Sequence, residues 1–220
     1  MSDERPLIEV AGVTHEDPVG ARRLNGWLGG LGFGTRSMPA FVAVEYDSSH
    51  LPQIVAQRPS FRKLVEREWS FLLREDHAEL ERSLGYEGDA HTEIFPDSET
   101  LWLDEGRQGV QKAVTEFAKQ RLDVLRHSAE SISQDCDRFL LRLSRQVCEE
   151  AKTNRLPTAD ERDERFASLV IARTRRQSWR RAVAIVGASH ARHDVEGSFV
   201  RLVEAGGIRC RITMLDACNG

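Results

Sequence analysis

Two histidines close two copies of one short pattern. Gly12-Val13-Thr14-His15 and Gly187-Ala188-Ser189-His190 both read Gly-x-x-His. Imidazole changes charge near neutral pH and is a common metal ligand, so paired histidines can move protons or hold an ion. Each copy follows a short apolar run that reads as a buried strand, Leu7-Ile8-Glu9-Val10-Ala11 before the first and Ala182-Val183-Ala184-Ile185-Val186 before the second. Two further runs end in a carboxylate. Phe41-Val42-Ala43-Val44 leads to Glu45, and Leu101-Trp102-Leu103 leads to Asp104. In an open α/β sheet, function gathers outside the carboxyl ends of the strands. A glycine just past a strand is expected to give a sharp turn or a positive φ. His15, Glu45, Asp104 and His190 should therefore converge on one sheet edge. Imidazole and carboxylate suit zinc, manganese or cobalt. Two histidines and one glutamate form a catalytic metal site with a position open to water.

The elements that must position these residues follow from local signals. Asp17-Pro18 predicts an N-cap and first helical residue. That helix carries Val19, Leu24, Trp27 and Leu28 and ends at Gly29-Gly30. With its flanking strands it makes residues 7–45 a βαβ unit with parallel strands. Residues 60–84 are strongly charged and read as an exposed helix or helical insertion. After Asp104 comes a helix with Val110, Ala113, Val114, Phe117, Leu122 and Leu125 on one side. The clearest periodicity follows, in Ile132, Cys136, Phe139, Leu140, Leu143, Val147 and Ala151, and Asn154-Arg155-Leu156-Pro157 stops it. Thr158 to Glu161 reads as a capping box opening the next helix. A helix through Val195, Phe199, Leu202 and Val203 closes at Gly206-Gly207, and residues 208–215 suit an edge strand.

At 220 residues with 40% hydrophobic content, the chain can build one ordinary core. Its net charge of −4 argues against nucleic acid as the main partner. No run approaches about 18 apolar residues, so no transmembrane segment is expected. The charged start, Met1-Ser2-Asp3-Glu4-Arg5, has no signal-peptide core. Cys136, Cys148, Cys210 and Cys218 lack metal-binding spacing. They read as small buried thiols of a cytoplasmic protein. Gly30, Gly32 and Gly34 precede a strand, which is the wrong context for a dinucleotide fingerprint. The basic run Arg173–Arg181 falls at a helix end, where cations complement the dipole. His193 is expected to face water.

The ordered set resembles the TraB/PrgY/Tiki superfamily, which includes erythromycin esterase-type enzymes and haem-binding ChaN proteins. The residues carrying it are GVTH (12–15), VEYD (44–47), the weaker Gly85-Tyr86-Glu87, LWLDEGR (101–107), ERDERFA (161–167) and VGASH (186–190). Glu16-Asp17 departs from the small or apolar residues usual after the first histidine. The carboxyl-terminal membrane helices of several TraB-type members do not appear. The expected fold is a single α/β domain over 1–220 of the EreA/ChaN kind. It has a small, mainly parallel sheet and a large helical portion, with the helical elaboration at about 52–155.

The resemblance implies a metal-dependent hydrolase of peptide or ester bonds. His15, Glu45 and His190 would hold a divalent ion (manganese, cobalt or zinc) that acidifies a bound water. Glu87 would act as general base or support a ligand, and Arg162 would steady the oxyanion. A second reading needs no metal and makes His15 the general base, as in the esterase branch. A third is a non-catalytic binder of peptide or haem, and a fourth a helical scaffold using residues 60–84 and 107–155. The expected partners are a peptide or small-molecule substrate and a second copy in a homo-oligomer.

Overall fold

The computed structural model describes residues 5–33, 38–106, 114–134, 138–154, 158–176 and 179–215. Its centre is a five-stranded sheet in the order β3-β2-β4-β1-β5, with every pairing parallel. The strands are β1 (Leu7–Val13), β2 (Phe41–Val44), β3 (Glu99–Trp102), β4 (Arg181–Gly187) and β5 (Arg209–Met214). A parallel sheet needs cover on both faces, which is why β1, β2 and β4 are nearly continuous apolar runs.

Alternate residues build two cores. Ile8, Val10, Phe41, Ala43, Ala182 and Ala184 face α8 (Arg162–Arg176) and α9 (Phe199–Ala205), whose Phe166, Val170, Phe199 and Val203 complete that layer. Ala11, Val13, Val42, Val44, Val183 and Ile185 face α1 (Gly20–Gly30) and α5 (Tyr86–Ile94). A third core lies among helices. It joins α3 (Arg58–Glu68), α4 (Arg74–Ser83), α6 (Phe117–Ala129) and α7 (Phe139–Thr153) through Phe61, Val65, Leu80, Leu122, Leu125, Phe139 and Leu143. The short α2 (Leu51–Val55) adds Ile54 to it. Among the described residues no helix is long and apolar enough to cross a membrane.

Several sequence expectations need correction. Residues 60–84 are two helices, not one exposed helix. Phe61, Val65, Trp69, Leu80 and Leu84 are buried, so the charge of this stretch sits on the outer face of a real core. Helix α1 starts at Gly20, because Asp17 accepts a bond from the Val19 amide (3.1 Å) in a tight turn instead of capping at Pro18. The capping box slips by two residues. Asp160 accepts from the Arg162 amide (2.9 Å), and Asp163 accepts from the Asp160 amide (2.7 Å). Val110, Ala113, Cys136, Cys218, Gly34, Arg155, Leu156 and Pro157 lie outside the described residues.

Neither motif glycine has a positive φ. Gly12 lies inside β1 opposite Val186, and Gly187 ends β4 opposite Val13. Both are needed for close approach instead. A Cβ on Gly12 would stand 2.8 Å from the Ala191 Cβ and 2.6 Å from the Met214 sulfur. A Cβ on Gly187 would stand 2.8 Å from His15 Nε2. Gly187 thus makes room for His15 of the first motif, and Gly12 for β5 and for the residue that follows the second motif. Gly12→Ala should overpack this seam and cost about 1–3 kcal/mol. A urea-unfolding midpoint that falls at constant slope checks it.

Candidate active site

The register brings the strand ends together. Val13 pairs with Gly187, and Val44 pairs with both Ile185 and Trp102. His15, Glu45, Asp104 and His190 each follow one of these strands by one to three residues. From β1 the chain crosses past β4 to β2, and from β4 it crosses past β1 to β5. The crevice where connections diverge in this way is where open α/β sheets bind ligands. All four strand-end residues meet there, joined by Glu87 from the start of α5 and Arg162 from the start of α8.

Two linked clusters result. In the first, His15 Nδ1 lies 2.7 Å from Glu87 Oε1, which also accepts from the Tyr46 hydroxyl at 3.0 Å. Glu87 is buried, while the His15 side chain keeps 34% of its surface open. Its other nitrogen, Nε2, lies 3.7 Å from Glu45 Oε2. In the second cluster, buried Glu45 accepts from the Gly187 amide (2.6 Å) and from Arg162 Nη1 (2.8 Å). His190 Nε2 stands 3.2 Å from Glu45 Oε1, and its Nδ1 stands 3.0 Å from Asp163 Oδ1. Asp163 is itself fixed by the Phe199 amide at 2.6 Å.

Arg162 spends its whole fork on this network. Its Nε and Nη2 reach Asp160 (both 3.1 Å), Nη1 reaches Glu45 and Asp104 (3.3 Å), and Nη2 also lies 3.2 Å from His190 Nε2. This bears on the expected metal. The guanidinium, a permanent cation, stands on both Glu45 and His190, two of the three intended ligands. A divalent ion beside it would meet direct repulsion. In this arrangement the Arg162 guanidinium takes hydrogen-bonding positions on both Glu45 and His190, so a divalent ion held by His15, Glu45 and His190 would require it to move.

The carboxylates set the protonation of both imidazoles. Burial alone would lower the pKa of His15. The charge of Glu45 and the hydrogen bond and charge of Glu87 overcome this and raise it to about 10. Burial likewise opposes His190, but Asp163 and Glu45 raise it to about 9. Burial would raise the Glu45 pKa, yet His15, His190 and Arg162 hold it far below the usual carboxylate range. Tyr46 is pushed well above 10 by burial and by Glu87, so it stays a neutral donor.

A cavity of about 240 Å³ opens at this edge, with His15, Glu45, Asp104 and Arg162 on one side and Ile54, Val114 and Phe117 on the other. Two ties fix the His15 loop from behind. The buried Arg121 of α6 donates to the His15 carbonyl, and Ser144 of α7 donates to the buried Asp17 at 2.7 Å.

Sequence reasoning missed Asp163, Tyr46, Asp160 and Arg121. Asp163 carried a usable signal, since it directly follows Arg162 at a helix start. His193 pairs with Glu204 at the surface, as expected of a water-facing residue. Arg173 of the basic run binds Glu99, and Arg181 donates to Glu9 at 2.6 Å, so both are engaged within the fold. Comparison of the chain with models of protein families, with curated proteins and with solved structures gave no match.

Two outcomes follow. Glu45→Ala leaves Arg162 and His190 facing each other and should cost about 3–5 kcal/mol in chemical denaturation. Both histidines have folded pKa values above the unfolded 6.5, so their stabilisation is complete below about pH 6.5. It should fade as pH climbs through about 9 and 10. Thermal midpoints measured from pH 6 to 10 should fall accordingly.

Proposed function

We propose that this chain is a metal-independent hydrolase of carboxylic esters, with His15 as general base. One observation carries the reading. A partly open imidazole lies 2.7 Å from a buried carboxylate and forms a wall of a cavity at the sheet's carboxyl edge. A carboxylate on one ring nitrogen orients the imidazole and supports its charge while the other nitrogen handles the proton. Glu87 is that partner, and the Tyr46 hydroxyl steadies it.

In the proposed reaction, neutral His15 takes a proton from water at Nε2 as the water oxygen attacks the ester carbonyl. The tetrahedral intermediate then collapses, the C–O bond to the alcohol breaks, and the His15 proton passes to the departing oxygen. The oxyanion needs a donor. When His190 is protonated, its Nε2–H turns to Glu45, and the Arg162 Nη2 proton that faced it loses its acceptor. That proton is then free for a developing oxyanion. Arg162 thus keeps the role expected of it, conditional on the charge of His190.

The ordered motifs support a place in the TraB/PrgY/Tiki superfamily, on its esterase side. The metal-dependent form of the reading would require Arg162 to leave Glu45 and His190.

Hydrolysis of p-nitrophenyl esters tests this. His15→Ala should lower kcat about 10²–10⁴-fold. The rate should climb about tenfold per pH unit to the His190 pKa near 9 and then level off, because His190 loses the proton that frees Arg162 before His15 becomes fully neutral near 10. Glu87→Gln should move that limb to lower pH, because it removes a charge and hydrogen bond that raise the pKa. Chelators should change nothing. Activity lost on chelation and restored by one added metal would overturn the metal-free mechanism and favour His15, Glu45 and His190 as ligands.

A further inference from the structure

We propose that the substrate's acyl part is a compact apolar chain held against Ile54, Val114 and Phe117, with the alcohol part leaving on the opposite side of His15. This rests on the hydrolase reading above and adds the substrate class. The cavity is two-sided. Its polar wall holds His15 and Arg162, and its apolar wall is a face of the helical core, where Ile54 and Val114 are buried core members and Phe117 packs on them.

That wall is built and fixed. Gln57 donates to the Val114 carbonyl (2.7 Å) and accepts from the Ala118 amide (3.1 Å), pinning the entry to α6. Tyr46 also lines the cavity, but its hydroxyl is committed to Glu87. It therefore offers a ring, not a donor. Proton transfer alone needs no such surface, whereas an apolar chain gains from leaving water there.

A second recess of about 140 Å³ lies across His15, lined by Thr14, Glu16, Gly187, Ala188 and Ser189. His15 and Glu16 line both spaces. A scissile carbonyl at His15 would thus have an apolar slot on one side and, on the other, a smaller recess of mixed lining that includes Val13 and Ala151 as well as Thr14, Glu16 and Ser189. The slot has a size limit. Apolar cavities of about 150 Å³ take a benzene ring. The whole cavity, polar wall included, has about 240 Å³, room on that scale for about ten non-hydrogen atoms, so an acyl chain of about eight carbons with its carbonyl at His15 is the upper bound.

The test pairs binding with turnover on the full chain. Neutral 2-alkanones of increasing length are titrated calorimetrically, and p-nitrophenyl alkanoates of matching length are assayed. Affinity should rise roughly fourfold per methylene to about eight carbons and then stop rising, with the same limit in kcat/KM. Phe117→Ala should move the limit to longer chains. Gln120→Trp, at the exposed rim, should move it to shorter ones. Ketones that show the limit while no ester is cleaved would support the apolar slot and sink the hydrolase reading. Esters cleaved without regard to chain length, unchanged in both variants, would overturn the slot and leave the hydrolase standing. Ketones that fail to bind at any length would also overturn it.

Discussion

The buried carboxylate of Glu45 is the constraint on which the rest of the site depends. It has left water at the end of β2, and a lone ion there would be too costly to keep. Three donors from separate elements answer it: the Gly187 amide closing β4, Arg162 opening α8, and His190 in the loop after β4. Each is placed by backbone geometry before it is placed by side-chain contact. The parallel register sets Gly187 beside β1, and the Asp160–Asp163 cap sets the first turn of α8. The sheet's carboxyl edge is thereby closed electrostatically by one side chain.

Satisfying one ion creates demands elsewhere. Arg162 and His190 bring positive charge of their own, and Asp104, Asp160 and Asp163 answer that. Buried pairs of this kind add little net stability and mainly fix geometry. The consequence is an asymmetry. His190 is wholly enclosed and held at both ring nitrogens, while His15 is held at one and keeps a third of its surface open. The two copies of one motif therefore present different imidazoles, one enclosed and held at both nitrogens, the other partly open and held at one. The helical layer braces the second, since Arg121 and Ser144 fix the loop that presents it.

Much of this was legible in the chain. Fully buried parallel strands are unbroken apolar runs, so β1, β2 and β4 stand out, as does the shorter Leu101-Trp102-Leu103 run, and a His or carboxylate one to three residues past each strand is conspicuous. His15, Glu45, Asp104 and His190 were found that way, and Glu87 and Arg162 by family resemblance. The rest depended on distance in space. Asp163 sits in a charged helix start where any one carboxylate looks like another, and its meaning appears only when α9 brings the Phe199 amide to it. The saturation of Arg162 is likewise invisible in one dimension. The charged stretch 60–84 concealed a core because two short helices with a sharp break do not sustain one long period. The glycines were misjudged for the same reason. A turn is a local event, whereas the close approach of β1 to β4 joins opposite ends of the chain.

That close approach couples the effects of substitution as well as the packing. A side chain gained at Gly187 is felt first at His15, and one gained at Gly12 is felt by Ala191, the neighbour of His190. A change at either glycine is therefore met by atoms from the far end of the sequence, so substitutions in the two segments should not add independently.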